Sequence, residues 1–136
     1  MLKKSLLATL LVTASLPAWA LDLEPGLWGQ VIESDAGNGE ALQKFSRQEC
    51  LTEEDAKDPE AAFRRDFSDA GFTDVEFAQN RNTVNATAFN TSGDQDVEMK
   101  ITLIKHSDKH TSSTTEVISS STSTTTFESR WIEEDC

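Results

Sequence analysis

The sequence predicts a mainly β (β-rich α+β) domain: a curled antiparallel meander or partial barrel of six to eight strands, with one or two short helices between the second and third. Three observations predict it. Apolar residues alternate with polar ones in several short runs, most clearly Val97, Met99, Ile101 and Leu103 against Glu98, Lys100 and Thr102. Turn-forming clusters separate these runs, among them Pro25-Gly26, Asn80-Arg81-Asn82 and Ser92-Gly93-Asp94. A single stretch, after Leu51, carries the cap and periodicity signals of a helix.

Taken in order, the Pro25-Gly26 turn leads into a first strand, Leu27-Trp28-Gly29-Gln30-Val31-Ile32-Glu33. The polar, glycine-containing residues 35–39 form a loop, and residues 41–51 form a second strand that carries Phe45 and ends at Cys50. Thr52 then precedes Glu53, Glu54 and Asp55, a hydroxyl cap followed by acids where the helix dipole favours them. Asp58-Pro59 repeats the signal, with Asp as cap and Pro at the first helical position, so a helix is expected over residues 59–66. Phe63 and Phe67 lie four residues apart and should press one aromatic face onto a sheet.

Gly71 ends that region. Val75 and Phe77 pair across the 80–82 turn with Val84, Ala86 and Ala88, and the strand at residues 97–103 follows the 92–94 turn. His106 to His110 is a polar turn. Thirteen of the sixteen residues in 111–126 are Ser or Thr, a composition that suits a flexible linker. Threonine is also a good strand former, and the run leads into Phe127, Trp131 and Ile132, so two strands with a turn at residues 119–121 are expected.

The first 20 residues have the parts of an export signal: Lys3 and Lys4, an apolar run over residues 5–16, and Ala18-Trp19-Ala20 before the expected cut. A membrane span needs about 20 apolar residues, and Pro17 interrupts this run. Cleavage after Ala20 leaves residues 21–136 as a single β-rich domain, and a bacterial periplasm is the expected address. Losing Lys3 and Lys4 takes the formal charge from −12 to −14. A surface this acidic repels nucleic acid and anionic head groups, so neither partner is expected, and no later stretch is long and apolar enough to span a membrane.

Two cysteines in an oxidising compartment normally pair, which predicts a Cys50–Cys136 bridge closing the domain. A reactive or intermolecular thiol is the competing reading. These landmarks resemble an exported bacterial family catalogued as domain of unknown function 3617. The resemblance rests on Pro25-Gly26-Leu27-Trp28 at the head of the first strand, Cys50-Leu51-Thr52 leading into an acidic Asp-Pro stretch, Asn82-Thr83-Val84 after a polar turn, and the closing Asp135-Cys136. It implies an exported β-rich domain and brings no activity, catalytic residue or cofactor with it. Many members carry four cysteines; the middle two are absent here, with Phe72 and Phe89 or Asn90 near their places. Their joint loss implies that Cys50 and Cys136 are partners. Glu134 replaces a glycine that often precedes the final Asp-Cys, and the loop after the first strand is short and acidic where the family has Met, Pro and Gly.

Residues that could carry chemistry are few. His106, Asp108 and His110 offer ligand types that zinc or copper accepts, but Lys105 and Lys109 in the same turn repel a cation, and no metal is expected. Asp94, Asp96 and Glu98 share one side of a strand but lack the looping geometry of a calcium site. No serine sits in a strand-turn-helix elbow and no glycine-rich phosphate loop is present, so no catalytic residues and no cofactor are assigned. Trp28 and Trp131 could stack on an apolar ligand held against a concave sheet, or anchor the first and last strands in the core. The expected function is therefore non-enzymatic: a periplasmic protein that binds an apolar small molecule, an envelope component or a partner protein. The alternative is a structural or stress-protective envelope protein with no small ligand.

Overall fold

The computed structural model describes residues 21–90 and 96–136. The expected leader, the 92–94 turn and Asp94 lie outside those residues. Among the described residues the order of elements is β1 (Gly26–Asp35), β2 (Gln43–Leu51), α1 (Glu53–Lys57), α2 (Pro59–Asp69), β3 (Thr73–Asn80), β4 (Thr83–Asn90), β5 (Val97–Ser107), β6 (His110–Ile118) and β7 (Thr122–Glu133). The mainly β class, the antiparallel pairing and the position of both helices follow the expectation. So does the serine- and threonine-rich run, which forms β6 and β7 around a turn at residues 119–121.

All seven strands form one sheet in the order β2-β1-β7-β6-β5-β4-β3. From β3 to β7 the chain meanders. β1 inserts between β7 and its hairpin partner β2, antiparallel to both. The sheet is open and uncurled, with β2 and β3 as its edges, so the expected curl or partial barrel does not form. The connection through α1 and α2 explains why. It carries the chain from one edge to the other, across six inter-strand steps of about 4.8 Å each. The helices thus cover part of a face that a barrel would otherwise enclose by closing on itself.

Alternation sorts the sheet into two faces. On the inner face one row crosses every strand: Gln79, Val84, Leu103, Ser113, Phe127, Ile32 and Phe45. The parallel outer row reads Ala78, Asn85, Thr102, Thr114, Thr126, Glu33 and Lys44, polar at every position but the first. Threonine and serine give β6 and β7 the extended propensity the sheet needs while letting their outer side face water.

The core lies under α2. Phe67, Ala86 and Ala88 are buried, and Phe63, Phe72, Val75, Phe77, Met99 and Ile101 pack against them. Small side chains on β4 let the helix come close, and the aromatic rings fill the gap at centroid separations of 5.9 to 6.4 Å. Both caps form as expected: Thr52 Oγ1 accepts from Asp55 N at 3.1 Å, and Asp58 Oδ1 accepts from Ala61 N at 3.1 Å. α2 runs three residues beyond the expected end at Asp66, to Asp69. Its last turns are held by burial of Phe67.

Cys50 and Cys136 are bonded, with Cα atoms 5.7 Å apart. The bridge joins edge strand β2 to the segment just after β7, reaching over β1. A disulfide of this kind belongs in an oxidising, extracytoplasmic compartment. Among the described residues no helix is long and apolar enough to cross a membrane.

Candidate functional site: a groove between helices and sheet

The core under α2 is built from β3, β4 and β5, and beside it a groove opens over part of the inner face. The groove has a volume of about 510 Å³. Its floor is the sheet, contributed by Ile101 and Leu103 of β5, Ser113 and Thr115 of β6, and Phe127 of β7. Phe63 and Ala62 of α2 and Ala56 of α1 form the roof. The segment before β1 supplies the end wall through Leu21, which is buried, and Leu23.

Two tryptophans hold that wall in place. Trp28 Nε1 donates to Glu24 O at 2.8 Å, and Trp131 Nε1 donates to Pro25 O at 3.0 Å. Glu24 N also donates to Asp108 O in the β5–β6 turn at 2.8 Å. Trp28 and Trp131 are cross-strand partners on β1 and β7. Trp28 is buried and lines a second, smaller cavity of about 130 Å³ that shares Leu23, Gln30 and Leu51 with the groove. Trp131 lines neither cavity; Lys109 Nζ lies 4.5 Å above its ring.

Charged groups stand at the rim as pairs. Arg65 donates two hydrogen bonds of 3.0 Å to the Asp55 carboxylate, tying α2 to α1. Those hydrogen bonds hold the Asp55 carboxyl below its ordinary pKa, the Arg65 charge adds to them, and partial desolvation opposes both. Arg47 Nε donates to Gln30 Oε1 at 2.8 Å, Gln30 Nε2 donates to Ser129 Oγ at 3.2 Å, and the Arg47 guanidinium also lies near Glu49 and the Phe127 ring. The groove therefore offers an apolar floor with a few hydroxyls and a rim where Arg47 and Arg65 are paired with carboxylates, Arg65 being shared by Asp55 and Asp66.

The histidines come together on the outer face. The His106 and His110 rings lie 4.5 Å apart. His110 Nε2 donates to Glu128 Oε2, Ser112 Oγ donates to Glu128 Oε1 at 2.9 Å, and His106 Nε2 hydrogen-bonds Ser112 Oγ at 2.8 Å. The hydrogen bonds from His110 and then Ser112 lower the Glu128 pKa, with desolvation opposing them and the charges of His110 and His106 adding smaller contributions. Glu128, not Asp108, is the carboxylate that joins the two rings. A turn centred on residue 120 pairs Ser112 with Glu128, so the register of the β6–β7 hairpin was the signal that could have found it. Asp96 and Glu98 remain at the start of β5, where Lys100 Nζ lies 4.0 Å from Glu98.

No protein-family profile, curated protein or solved structure matches this chain.

Proposed function

We propose that this is an exported, non-enzymatic protein of the bacterial periplasm that binds an apolar small molecule in the groove between helices and sheet. The observation that carries the reading is the groove itself: about 510 Å³, within the range of small-molecule sites, floored by Ile101, Leu103 and Phe127 and roofed by Phe63. Pairing of both rim arginines suits an uncharged or weakly polar ligand, because an anion would have to displace Asp55 from Arg65 or Glu49 from Arg47 and would meet the excess carboxylate of Asp66. The export signal motif at residues 1–20 and the disulfide support the address. Membership of the exported family named above is part of the same proposal, supported by Pro25-Gly26-Leu27-Trp28 and Asp135-Cys136.

Native mass spectrometry of protein taken from a periplasm tests the reading. The expected result is a co-purifying small-molecule mass that disappears in a Thr115→Trp variant, whose indole would fill the groove. A bare mass, together with no binding of an apolar fluorescent probe, overturns it and favours a structural envelope protein.

A further inference from the structure

On the face of the sheet opposite the groove, three side chains from three consecutive strands converge. His106 lies one residue before the end of β5, His110 begins β6 and Glu128 lies on β7. One ligand atom from each lies within 4.8 Å of the others. We propose that His106, His110 and Glu128 form a binding site for a divalent transition-metal cation of the zinc class.

Ligand chemistry selects the metal. Two imidazoles and one carboxylate suit zinc, nickel or copper, whereas calcium and magnesium require oxygen-rich shells. Zinc bonds to nitrogen or oxygen at about 2.0–2.2 Å, which sets tetrahedral ligand atoms about 3.3 Å apart. Small rotations of three side chains, two exposed and one half-buried, would contract the present spacing to that value. The cation would replace the proton that His110 donates to Glu128, and Ser112 Oγ would remain hydrogen-bonded to the other carboxylate oxygen, fixing its orientation. Three protein ligands on a solvent-facing sheet leave a fourth position for water.

Placement of the nearby cations supports the site. Lys109 sits over the Trp131 ring and is thereby held away from the histidines. Lys105 pairs in register with Thr111, which is buried on the inner face, so alternation sends its side chain there too. Arg130, the cross-strand partner of His110, shares the face of the cluster. It weakens the site without blocking it, because its long side chain is exposed and free to swing toward water. The surrounding charge of the chain, −12 overall, favours any cation.

The test is titration of the oxidised chain with zinc chloride, followed by histidine NMR signals and calorimetry. Both histidines should shift together at micromolar zinc. His106→Ala, His110→Ala and Glu128→Gln should each weaken binding at least tenfold, while Asp108→Asn leaves it unchanged. Arg130→Gln keeps every ligand and should tighten binding several-fold, so it tests the site even if a histidine variant fails to fold. Histidine signals unmoved at millimolar zinc overturn the proposal. So does equal affinity in a folded His110→Ala variant, since binding then belongs to scattered carboxylates.

Discussion

Gly26 has φ +138°, and a Cβ added there would overlap the Glu133 carbonyl and come within 2.8 Å of Trp131 Nε1. Gly39 also has a positive φ, +84°, but a Cβ there would meet nothing within 4 Å. At Gly39 only the backbone resists a side chain, whereas at Gly26 a collision is added to it. Gly39→Ala should cost about 1 kcal/mol, the usual penalty for a side chain at positive φ. Gly26→Ala adds a collision with backbone and should cost at least ~2 kcal/mol more. Urea unfolding of both variants measures the difference; equal losses would show that the β1–β7 contact gives way without cost. Pro25-Gly26 was legible as a turn from two letters. That Gly26 lies against β7 was not, because that contact joins residues more than a hundred positions apart in the sequence.

At the scale of elements, α1 is only five residues long and has little intrinsic stability. Its cap on Thr52 and the Asp55–Arg65 pair secure it to α2. The pair gives a pH dependence whose sign follows from the lowered Asp55 pKa. A carboxylate with a depressed folded-state pKa stabilises the fold above its unfolded value, near 3.8, and the contribution is lost as pH falls through the folded value. Wild type should therefore exceed Asp55→Asn in melting temperature at neutral pH, and the gap should close below about pH 4. The gap will be small, since Arg65 is 52 % exposed and solvent screens the pair. A gap that stays constant from neutral to acid would show that Asp55 acts by shape rather than charge. Both caps, the Phe63–Phe67 face and the β6–β7 hairpin were legible because each is a local signal. Glu128 beside the histidines is not visible in the local spacing of His106 and His110; it emerges only when the register of that hairpin is carried back from a turn ten residues away.

Across the whole molecule, the strand count, the antiparallel pairing and the position of the helices could be read from period and punctuation. Two properties could not. The insertion of β1 between β2 and β7 is a pairing between the two ends of the fold, invisible to any window. Whether the sheet curls depends on what covers it, and here the helices relieve it of that need. The disulfide spans 86 residues, and the chain-entropy account values such a loop at about 4–5 kcal/mol, an upper figure. Urea unfolding of a Cys50→Ala, Cys136→Ala double variant should lose a large part of that amount. A loss below about 1 kcal/mol would mean that the unbridged, unfolded chain is already compact.

The place of β1 also sets an order of events. As the chain folds, β1 and β2 can form a hairpin early, but the other edge of β1 must wait for β7, the last strand in sequence. Until then its backbone is an open edge able to pair with another molecule. Closing so long a loop is slow compared with hairpin formation. Docking of β7 beside β1 brings Cys50 and Cys136 to bonding distance, so the bond and the docked strand favour one another. Once made, the bond keeps the docked end from drifting away, acting as a ratchet on the slowest step.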